Sequence, residues 1–279
     1  MTAATPTVLE EILRSTRAEL EQRKLERPAA LLESQLEADR GAGGSDDAGE
    51  GPATVGQRFR EALERPGMAV IAEIKRRAPS AGSLREGADA GEMVEAYVRA
   101  GASAISVLTE ASRFGGSLDD LSRARAICEL PLLRKDFIVD RYQLLEARLA
   151  GADAVLLIVG ALEPGELRAL REGAESLGLA ALVEVHDRPE LERALASGAE
   201  LIGVNNRDLR DFSVDVERTF ELMETMPSGV TVVSESGISE PEQLRRLGEA
   251  GVDAVLVGAA LMRSADPGEA LRALLAGSS

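Results

Sequence analysis

The segment PLLRKDFIVDRYQLLEARLAGADAVLLIV, residues 131–159, decides the fold, because a charged stretch with helical spacing separates two short apolar runs in it. Near-continuous runs of Leu, Ile, Val and Ala are typical of parallel strands that are buried on both faces. Parallel neighbours need a crossover connection, and a helix usually supplies it. The segment therefore predicts a β-α-β unit.

The same pattern repeats from Met68 onward. Eight apolar runs lie at residues 68–75, 104–109, 131–136, 154–159, 180–185, 201–206, 230–236 and 253–258, with charged helical segments between them. A Gly flanked by small residues recurs before four of the strands, at Gly101, Gly151, Gly198 and Gly251, where it suits the end of a helix. Eight such units predict an α/β fold of the closed (β/α)8 type, the TIM barrel. An open doubly wound sheet usually has fewer strands and a Gly-rich first turn, which this chain lacks.

Residues 1–67 precede the barrel, and their pattern predicts an N-terminal helical extension. Residues 7–26 carry apolar side chains at helical spacing until Pro28, and a later helix with Phe59 and Leu63 ends at Pro66. Between them, residues 39–53 are rich in Gly and Asp, which predicts a flexible acidic loop. We expect this extension and the barrel, residues 68–279, to form one structural domain.

Composition excludes several classes of protein. The 279 residues carry 32 Lys and Arg against 48 Asp and Glu, a net charge of −16, with one His and one Cys. A disulfide framework and a Cys/His zinc cluster are therefore excluded, and nucleic acids and acidic membranes are unfavourable partners. The N-terminus lacks the features of a secretory signal, and no apolar run approaches a membrane span. We expect a cytoplasmic protein, a monomer or weak homo-oligomer, that acts on a small molecule.

Polar side chains stand where the predicted strands end, which is where barrel enzymes place their active sites. They are Glu73 and Lys75 on the first strand, Lys135 on the third, Glu184 on the fifth, and Asn205 and Arg207 on and after the sixth. Side chains alternate along a strand, so these residues converge on one cavity if their face points inward. Acids and bases of both signs around an apolar pocket shift one another's pKa values, as proton transfer requires, and neither a metal nor a cofactor is needed.

The last two units carry a second signal. Ser236 and Gly237 follow the seventh strand, and Gly258 and Ala259 follow the eighth. Barrel enzymes often bind phosphate at this place through backbone N–H groups, which the glycines leave accessible. The pair of motifs predicts a phosphate site.

Two further residues invite a chemical role. His186 follows the fifth strand and is a candidate general base, but Glu184 holds the strand end, which favours a supporting role for His186. Cys128 precedes the third strand on the helical side, where a buried, unreactive side chain is the simpler interpretation.

Several motifs in order resemble the indole-3-glycerol phosphate synthase family over nearly the whole chain. They are IAEIKRRAPSAG (71–82), ISVLTEASRFGGSLDDL (105–121), LPLLRKDFIVDRYQLLEARLAGADAVLLI (130–158), ALVEVHD (181–187), IGVNNRDL (202–209), SESGI (234–238) and VLVGAALM (255–262). The resemblance implies a carboxy-lyase of tryptophan biosynthesis. Such an enzyme closes the ring of 1-(2-carboxyphenylamino)-1-deoxyribulose 5-phosphate with loss of carbon dioxide and water.

The resemblance also implies roles for individual residues. Lys135 is similar in position to the family's general acid, and Glu73, Lys75 and Glu184 to the groups that handle later proton transfers. Asn205 and Arg207 would place hydroxyl and carboxylate groups. Phe114 and Phe137 would line the aromatic side of the pocket, and Ser236, Gly237, Gly258 and Ala259 would surround the phosphate, with Lys75 nearby. The family's N-terminal helices partly cover the mouth of the barrel, which suits residues 7–65.

The chain departs from the family pattern at two places near the expected phosphate. Ala78 replaces the first Ser of the usual Lys-x-x-Ser-Pro-Ser motif, and Ala259 and Ala260 stand where relatives often carry Ser or Glu. These changes affect the expected phosphate affinity more than the reaction, because the proposed catalytic side chains are all present.

Two alternative functions fit the residues less well. The isomerase that acts on phosphoribosylanthranilate has the same architecture but uses a cysteine near the end of the first strand, where this chain has Glu73 and Lys75. A catalytically silent barrel that only binds a phosphorylated ligand would be expected to have lost Lys135 or Glu184.

Overall fold

The computed structural model describes residues 7–42, 54–79, 82–208 and 212–277. Within these ranges eight parallel strands form a closed barrel, which confirms the predicted TIM barrel. The strands are β1 Ala69–Ile74, β2 Ala104–Leu108, β3 Leu132–Lys135, β4 Ala154–Ile158, β5 Ala180–Val185, β6 Leu201–Asn205, β7 Thr231–Glu235 and β8 Ala254–Val257. Each strand pairs with its neighbour in the chain, and β1 pairs with β8 to close the barrel.

Twelve α-helices accompany the strands in the described part of the chain. They are α1 Val8–Glu26, α2 Ala29–Ala42, α3 Val55–Leu63, α4 Ala90–Ala100, α5 Leu118–Ile127, α6 Arg141–Leu149, α7 Pro164–Ser176, α8 Arg188–Ala196, α9 Glu217–Met223, α10 Pro241–Glu249, α11 Ala259–Arg263 and α12 Pro267–Ala276. Gly101, Gly151, Gly198 and Gly251 have φ between 85° and 93°, so the recurring Gly does end a helix in the left-handed conformation. Among the described residues, none of these helices is both long and apolar enough to span a bilayer.

The strands are apolar along their length because the barrel buries both of their faces. Every residue of β1, β2, β4, β6, β7 and β8 is buried. Outward side chains pack under the surrounding helices, where Tyr97 on α4 and Leu144 on α6 are fully buried. Inward side chains fill the interior of the barrel. The cavity therefore lies above this packed interior, at the carboxyl ends of the strands, and polar side chains line it there.

Helix α1 begins at the carboxyl ends of the strands, where Glu11 pairs with Arg113 in the loop after β2. It begins with a capping box formed by Thr7 and Glu10 and buries Ile12, Leu13 and Leu20. Arg23 near its end makes two hydrogen bonds to Glu146 on α6, at 3.0 and 2.9 Å. Its position at the mouth of the barrel agrees with the expectation for the first part of the extension.

Helix α3 lies at the opposite end of the barrel, so of the N-terminal helices that were expected to cover the mouth in part, this one does not. Its residue Arg58 pairs with Asp153, which precedes β4, and the Gly56 N–H donates to Gly178 O before β5. Phe59 and Leu63 are fully buried against the amino-terminal ends of the strands. The amphipathic pattern shows that one face of α3 is buried, but it does not indicate against which end of the barrel.

The prediction of an acidic loop at residues 39–53 is wrong for residues 39–42, because α2 continues through Ala42. The rest of that segment, residues 43–53, lies outside the described residues.

Candidate active site

A cavity of about 360 Å³ opens at the carboxyl ends of the strands. All twelve predicted site residues line it: Glu73, Lys75, Phe114, Lys135, Phe137, Glu184, Asn205, Arg207, Ser236, Gly237, Gly258 and Ala259. They come from different strands and the loops that follow them, so the barrel brings together residues that are far apart in the chain. The departing residues Ala78 and Ala260 also line the cavity.

Lys135 occupies the floor of this cavity between two glutamates. Its Nζ lies 3.2 Å from Glu184 Oε2 and 2.5 Å from Glu235 Oε2. The Lys135 side chain is 14% exposed, and the two glutamates are almost completely buried. Although burial opposes the charged ammonium, Glu235, Glu184 and Glu73 together raise the pKa of Lys135, so it carries a proton at neutral pH.

The two glutamates that share Lys135 differ in charge state. Burial raises the pKa of Glu235 to about 7, because repulsion by Glu184 and Glu73 adds to the effect of burial and the attraction of Lys135 does not offset the two. Burial acts on Glu184 in the same direction, but Lys135, His186 and a hydrogen bond from Asn205 outweigh it and lower the pKa of Glu184. Glu184 is therefore the ionised carboxylate of the pair, and Glu235 is the one that readily holds a proton.

A second acid-base pair lies beside the first. Lys75 Nζ donates to Glu73 Oε1, and both side chains reach the cavity from the end of β1. Gly258 makes this arrangement possible, because a Cβ at that position would stand 2.2 Å from Glu73 Oε1. Gly203 on β6 leaves the same kind of space for Glu235, whose Oε1 would lie 2.2 Å from a Cβ there.

Aromatic and aliphatic side chains form one wall of the cavity. The rings of Phe114 and Phe137 have centroids 6.3 Å apart and are tilted by 39°. Phe114 stands on a loop that Glu110 organises, because the Glu110 carboxylate accepts hydrogen bonds from the backbone N–H groups of Arg113 and Phe114 at 2.8 and 2.9 Å. This wall suits a planar aromatic ring.

The opposite wall is suited to an anion. Ser236 and Gly237 have φ of 68° and 82°, a left-handed pair that Ser rarely adopts and that turns the backbone at the end of β7. Arg207 and Arg263 both line this part of the cavity. Burial and the nearby positive charge of Arg263 lower the pKa of Arg207, an arrangement that an anion between the two would relieve.

Glu235 and Arg263 were not predicted as site residues from the sequence. Glu235 lies in the stretch Ser234-Glu235-Ser236, where every residue is polar, so alternation does not show which of them points inward. A further signal was available in the lysines. The chain contains only Lys24, Lys75 and Lys135, and two of these three meet in the cavity, whereas every other cationic side chain apart from His186 is Arg.

His186 and Cys128 lie in different surroundings. His186 lies directly behind Glu184, with its Nε2 3.4 Å from Glu184 Oε1. Cys128 ends α5 and is buried away from the cavity, which also raises the pKa of its thiol. It packs as the small apolar residue that was expected.

Comparison with known proteins identifies one family. The family model described as "Indole-3-glycerol phosphate synthase" matches residues 9–274. A Streptomyces coelicolor protein named indole-3-glycerol phosphate synthase 2 is 53% identical over 217 residues, which cover 78% of this chain and 84% of that protein. The Micrococcus luteus protein named indole-3-glycerol phosphate synthase is 45% identical over 271 residues, which cover 97% and 98%.

Solved structures at low sequence identity share the fold. The 3-hexulose-6-phosphate synthase from Salmonella typhimurium has a TM-score of 0.62 and 18% identity, covering 75% of this chain and 98% of that one. At this identity the likeness supports the barrel architecture alone.

Proposed function

The chain belongs to the indole-3-glycerol phosphate synthase family, and from that premise we propose how its barrel closes the indole ring of 1-(2-carboxyphenylamino)-1-deoxyribulose 5-phosphate. One observation carries the proposal. The ammonium of Lys135 lies between the Glu184 and Glu235 carboxylates, on the floor of a cavity with an aromatic wall on one side and an arginine- and glycine-lined wall on the other.

The two walls orient the substrate. The carboxyphenyl ring packs against Phe114 and Phe137, and the phosphate binds at the backbone of Ser236, Gly237, Gly258 and Ala259. Arg263 and Lys75 add positive charge at the phosphate, which offsets the hydroxyl that Ala78 lacks. Asn205 and Arg207 hold the hydroxyl and carboxylate groups. The substrate carbonyl then lies near Lys135. Because binding already holds the two groups in this geometry, the entropic cost of bringing them together does not add to the reaction barrier.

The chemistry sets how many protons must move. A ring carbon bonds to the carbonyl carbon, and the carbonyl oxygen takes up one proton. Loss of carbon dioxide returns the electron pair to the ring. The hydroxyl then leaves as water with a second proton, and a carbon of the new ring gives up one proton to form indole. Two protons are donated and one is removed, so each turnover consumes one proton.

The residues of the cavity match these steps. Lys135 donates the first proton, because its ammonium also neutralises the charge that develops on the carbonyl oxygen. Lys75, which is hydrogen-bonded to Glu73, is the acid that protonates the leaving hydroxyl. Glu184 removes the last proton, since its lowered pKa keeps it ionised at neutral pH. An arginine cannot replace either lysine in these roles, because its guanidinium does not release a proton in proteins.

The proposal is tested by following indole fluorescence after the carboxyphenylamino substrate is added to purified protein. We expect turnover by the wild type and a loss of roughly 10²-fold or more in kcat for Lys135→Met, with KM changed far less. Lys24→Met is the matched control, because Lys24 lies on α1 and pairs with Asp140 outside the cavity. Equal losses confined to KM would make Lys135 an anion-binding residue rather than the acid.

We place the enzyme in the cytoplasm as a monomer or weak homo-oligomer. The substrate is a charged metabolite, and the net charge of −16 makes copies of the chain repel one another at low ionic strength.

A further inference from the structure

His186 is the only histidine of the chain, and the reaction steps above do not use it. Its ring stands between two carboxylates on the outer side of the cavity floor. Nδ1 lies 3.0 Å from Glu190 Oε2, and Nε2 lies 3.4 Å from Glu184 Oε1. The same Glu190 oxygen accepts the His186 backbone N–H at 2.7 Å, so α8 holds the ring from behind.

The Nε2 atom is buried and makes no hydrogen bond, although the His186 side chain as a whole is 13% exposed. A buried polar atom without a partner is unfavourable, and the nearest group with which Nε2 forms an ion pair is the Glu184 carboxylate. The two oxygens of Glu184 are divided between cations, with Oε2 facing Lys135 and Oε1 facing His186.

This geometry becomes important once Lys135 has reacted. Donation of its proton leaves Lys135 neutral, and Glu184 then loses the cation that faces Oε2. A cation at Oε1, together with the hydrogen bond from Asn205, then keeps Glu184 ionised for the later step in which it removes a proton. His186 is the cation that the structure pairs with this oxygen, at 3.4 Å from Nε2.

We propose that His186, as an imidazolium held by Glu190, is a positioning residue that keeps Glu184 oriented and negatively charged through the reaction. The proposal rests on the proposed function for its kinetic consequences, but the coupling between His186 and Glu184 exists without substrate. It assigns Glu190 the task of keeping the ring in place and protonated.

The charges around the ring favour its protonated form. Burial alone disfavours the imidazolium, but Glu190, Glu184 and Glu235 outweigh it and raise the pKa of His186 above its ordinary value of 6.5. The cavity on the outer side of the ring is lined by charged groups of both signs from the neighbouring elements, namely Asp187, Arg188, Asp208, Arg218 and Glu221. The contribution of the imidazolium is present at low pH and is lost as pH rises through the raised pKa.

The direct test uses the fact that one histidine gives one imidazole signal. The Cε1–H resonance of His186 is titrated by proton NMR in protein without a histidine tag, for the wild type, Glu190→Gln and Glu184→Gln. We expect the wild-type midpoint above 6.5 and a lower midpoint in both variants, because each removes a negative charge beside the ring. An unchanged midpoint in Glu184→Gln would overturn the proposal.

The kinetic test separates positioning from a merely structural role. For His186→Asn we expect kcat to fall roughly tenfold with KM within about twofold, and the acidic limb of the kcat profile to move to higher pH. His186→Gln carries its amide N–H one methylene further out than Asn, at the reach of Nε2, but has no charge, so it should recover part of kcat without restoring the profile. A lower melting temperature with an unshifted profile would reject positioning.

A second variant and the NMR titration decide the question where the first kinetic test fails. Where His186→Asn does not fold, Glu190→Gln leaves the ring in place and should move the same acidic limb in the same direction by a smaller amount. Where the wild type does not turn over the carboxyphenylamino substrate, the proposed function fails, and the NMR titration still decides whether His186 and Glu184 are coupled.

Discussion

Glu235→Gln should make the protein more stable at pH 8 while making it a poorer enzyme. Glu235 is 1% exposed, its Oε1 has no hydrogen-bond partner, and Glu184 and Glu73 add negative charge around it. The attraction of Lys135 does not fully offset the effects of burial and of these carboxylates on the pKa of Glu235. Folding therefore places a carboxylate where its charged form is unfavourable, as functional sites often do.

The magnitude follows from the change in the pKa of Glu235 on folding, from 4.5 to about 7. This difference corresponds to about 3 kcal/mol in the free energy of unfolding. Because the pKa is raised, the stabilising contribution is fully present below about pH 4.5 and is lost as pH rises through about 7. Glutamine has the same shape and stays neutral, so the variant should not lose stability as the pH rises. Relative to the wild type, its free energy of unfolding should be higher by up to about 3 kcal/mol at pH 8 and unchanged near pH 4.5.

Urea unfolding at several pH values between 4.5 and 8 measures the effect. A gain of this size should also raise the melting temperature by roughly 5 to 10 °C at pH 8. Glu184→Gln is the matched control, because it changes the other carboxylate on the same lysine. The pKa of Glu184 is lowered, so its contribution is present above its ordinary value of 4.5, and this variant should be less stable at pH 8.

The two variants together decide whether the charge states are assigned correctly. Both should lower kcat, since each changes the pairing of Lys135. A Glu235→Gln protein that is less stable than the wild type at pH 8 would refute the reasoning. If the two variants exchanged their effects on stability, the shared proton would reside on Glu184 and the assignment of the base would have to be reversed.

Two other changes test the phosphate side and the packing of the cavity. Lys75→Met should raise KM and lower kcat, and its KM defect should shrink at high salt, where charge attraction is already screened, as steady-state kinetics at two ionic strengths would reveal. Gly258→Ala should lower kcat by roughly 10²-fold, because the added Cβ displaces Glu73, whereas Gly165→Ala in α7, with open space around it, should match the wild type in the same assay.

The barrel could be predicted from the sequence because its physical signals are local. Burial on both faces makes the barrel strands largely apolar runs, so all eight strands of the barrel lie within or on the predicted intervals. The helix ends were visible for a similar reason, since a residue with φ near 87°, as at Gly151 and Gly251, strongly favours glycine. Neither the apolar runs nor the glycines at the helix ends depend on which residues from distant parts of the chain pack against them.

The placement of Glu235 depends on distant residues, and this is why its role was missed. The register pairs Asn205 on β6 with Glu235 on β7, so the two point to the same side of the barrel wall. Gly203, two residues before Asn205, leaves the space that Glu235 occupies. A strand read by itself contains no information about register with its neighbour, and Ser234 is as polar as Glu235. The same limit applies to α3, whose pattern identifies a buried face but not the end of the barrel that it covers.

The lysines, in contrast, were a signal that is present in the sequence. Lys and Arg serve equally well as surface cations in most positions, and this chain uses Arg at nearly all of them. A group that must release a proton cannot be Arg, because its pKa is too high. Of the three lysines, Lys24 pairs with Asp140, the residue before α6, while Lys75 and Lys135 stand in the cavity beside buried carboxylates. In an arginine-rich chain, a lysine at the end of a barrel strand is therefore evidence for proton transfer in its own right, and that argument applies to Lys75 as much as to Lys135.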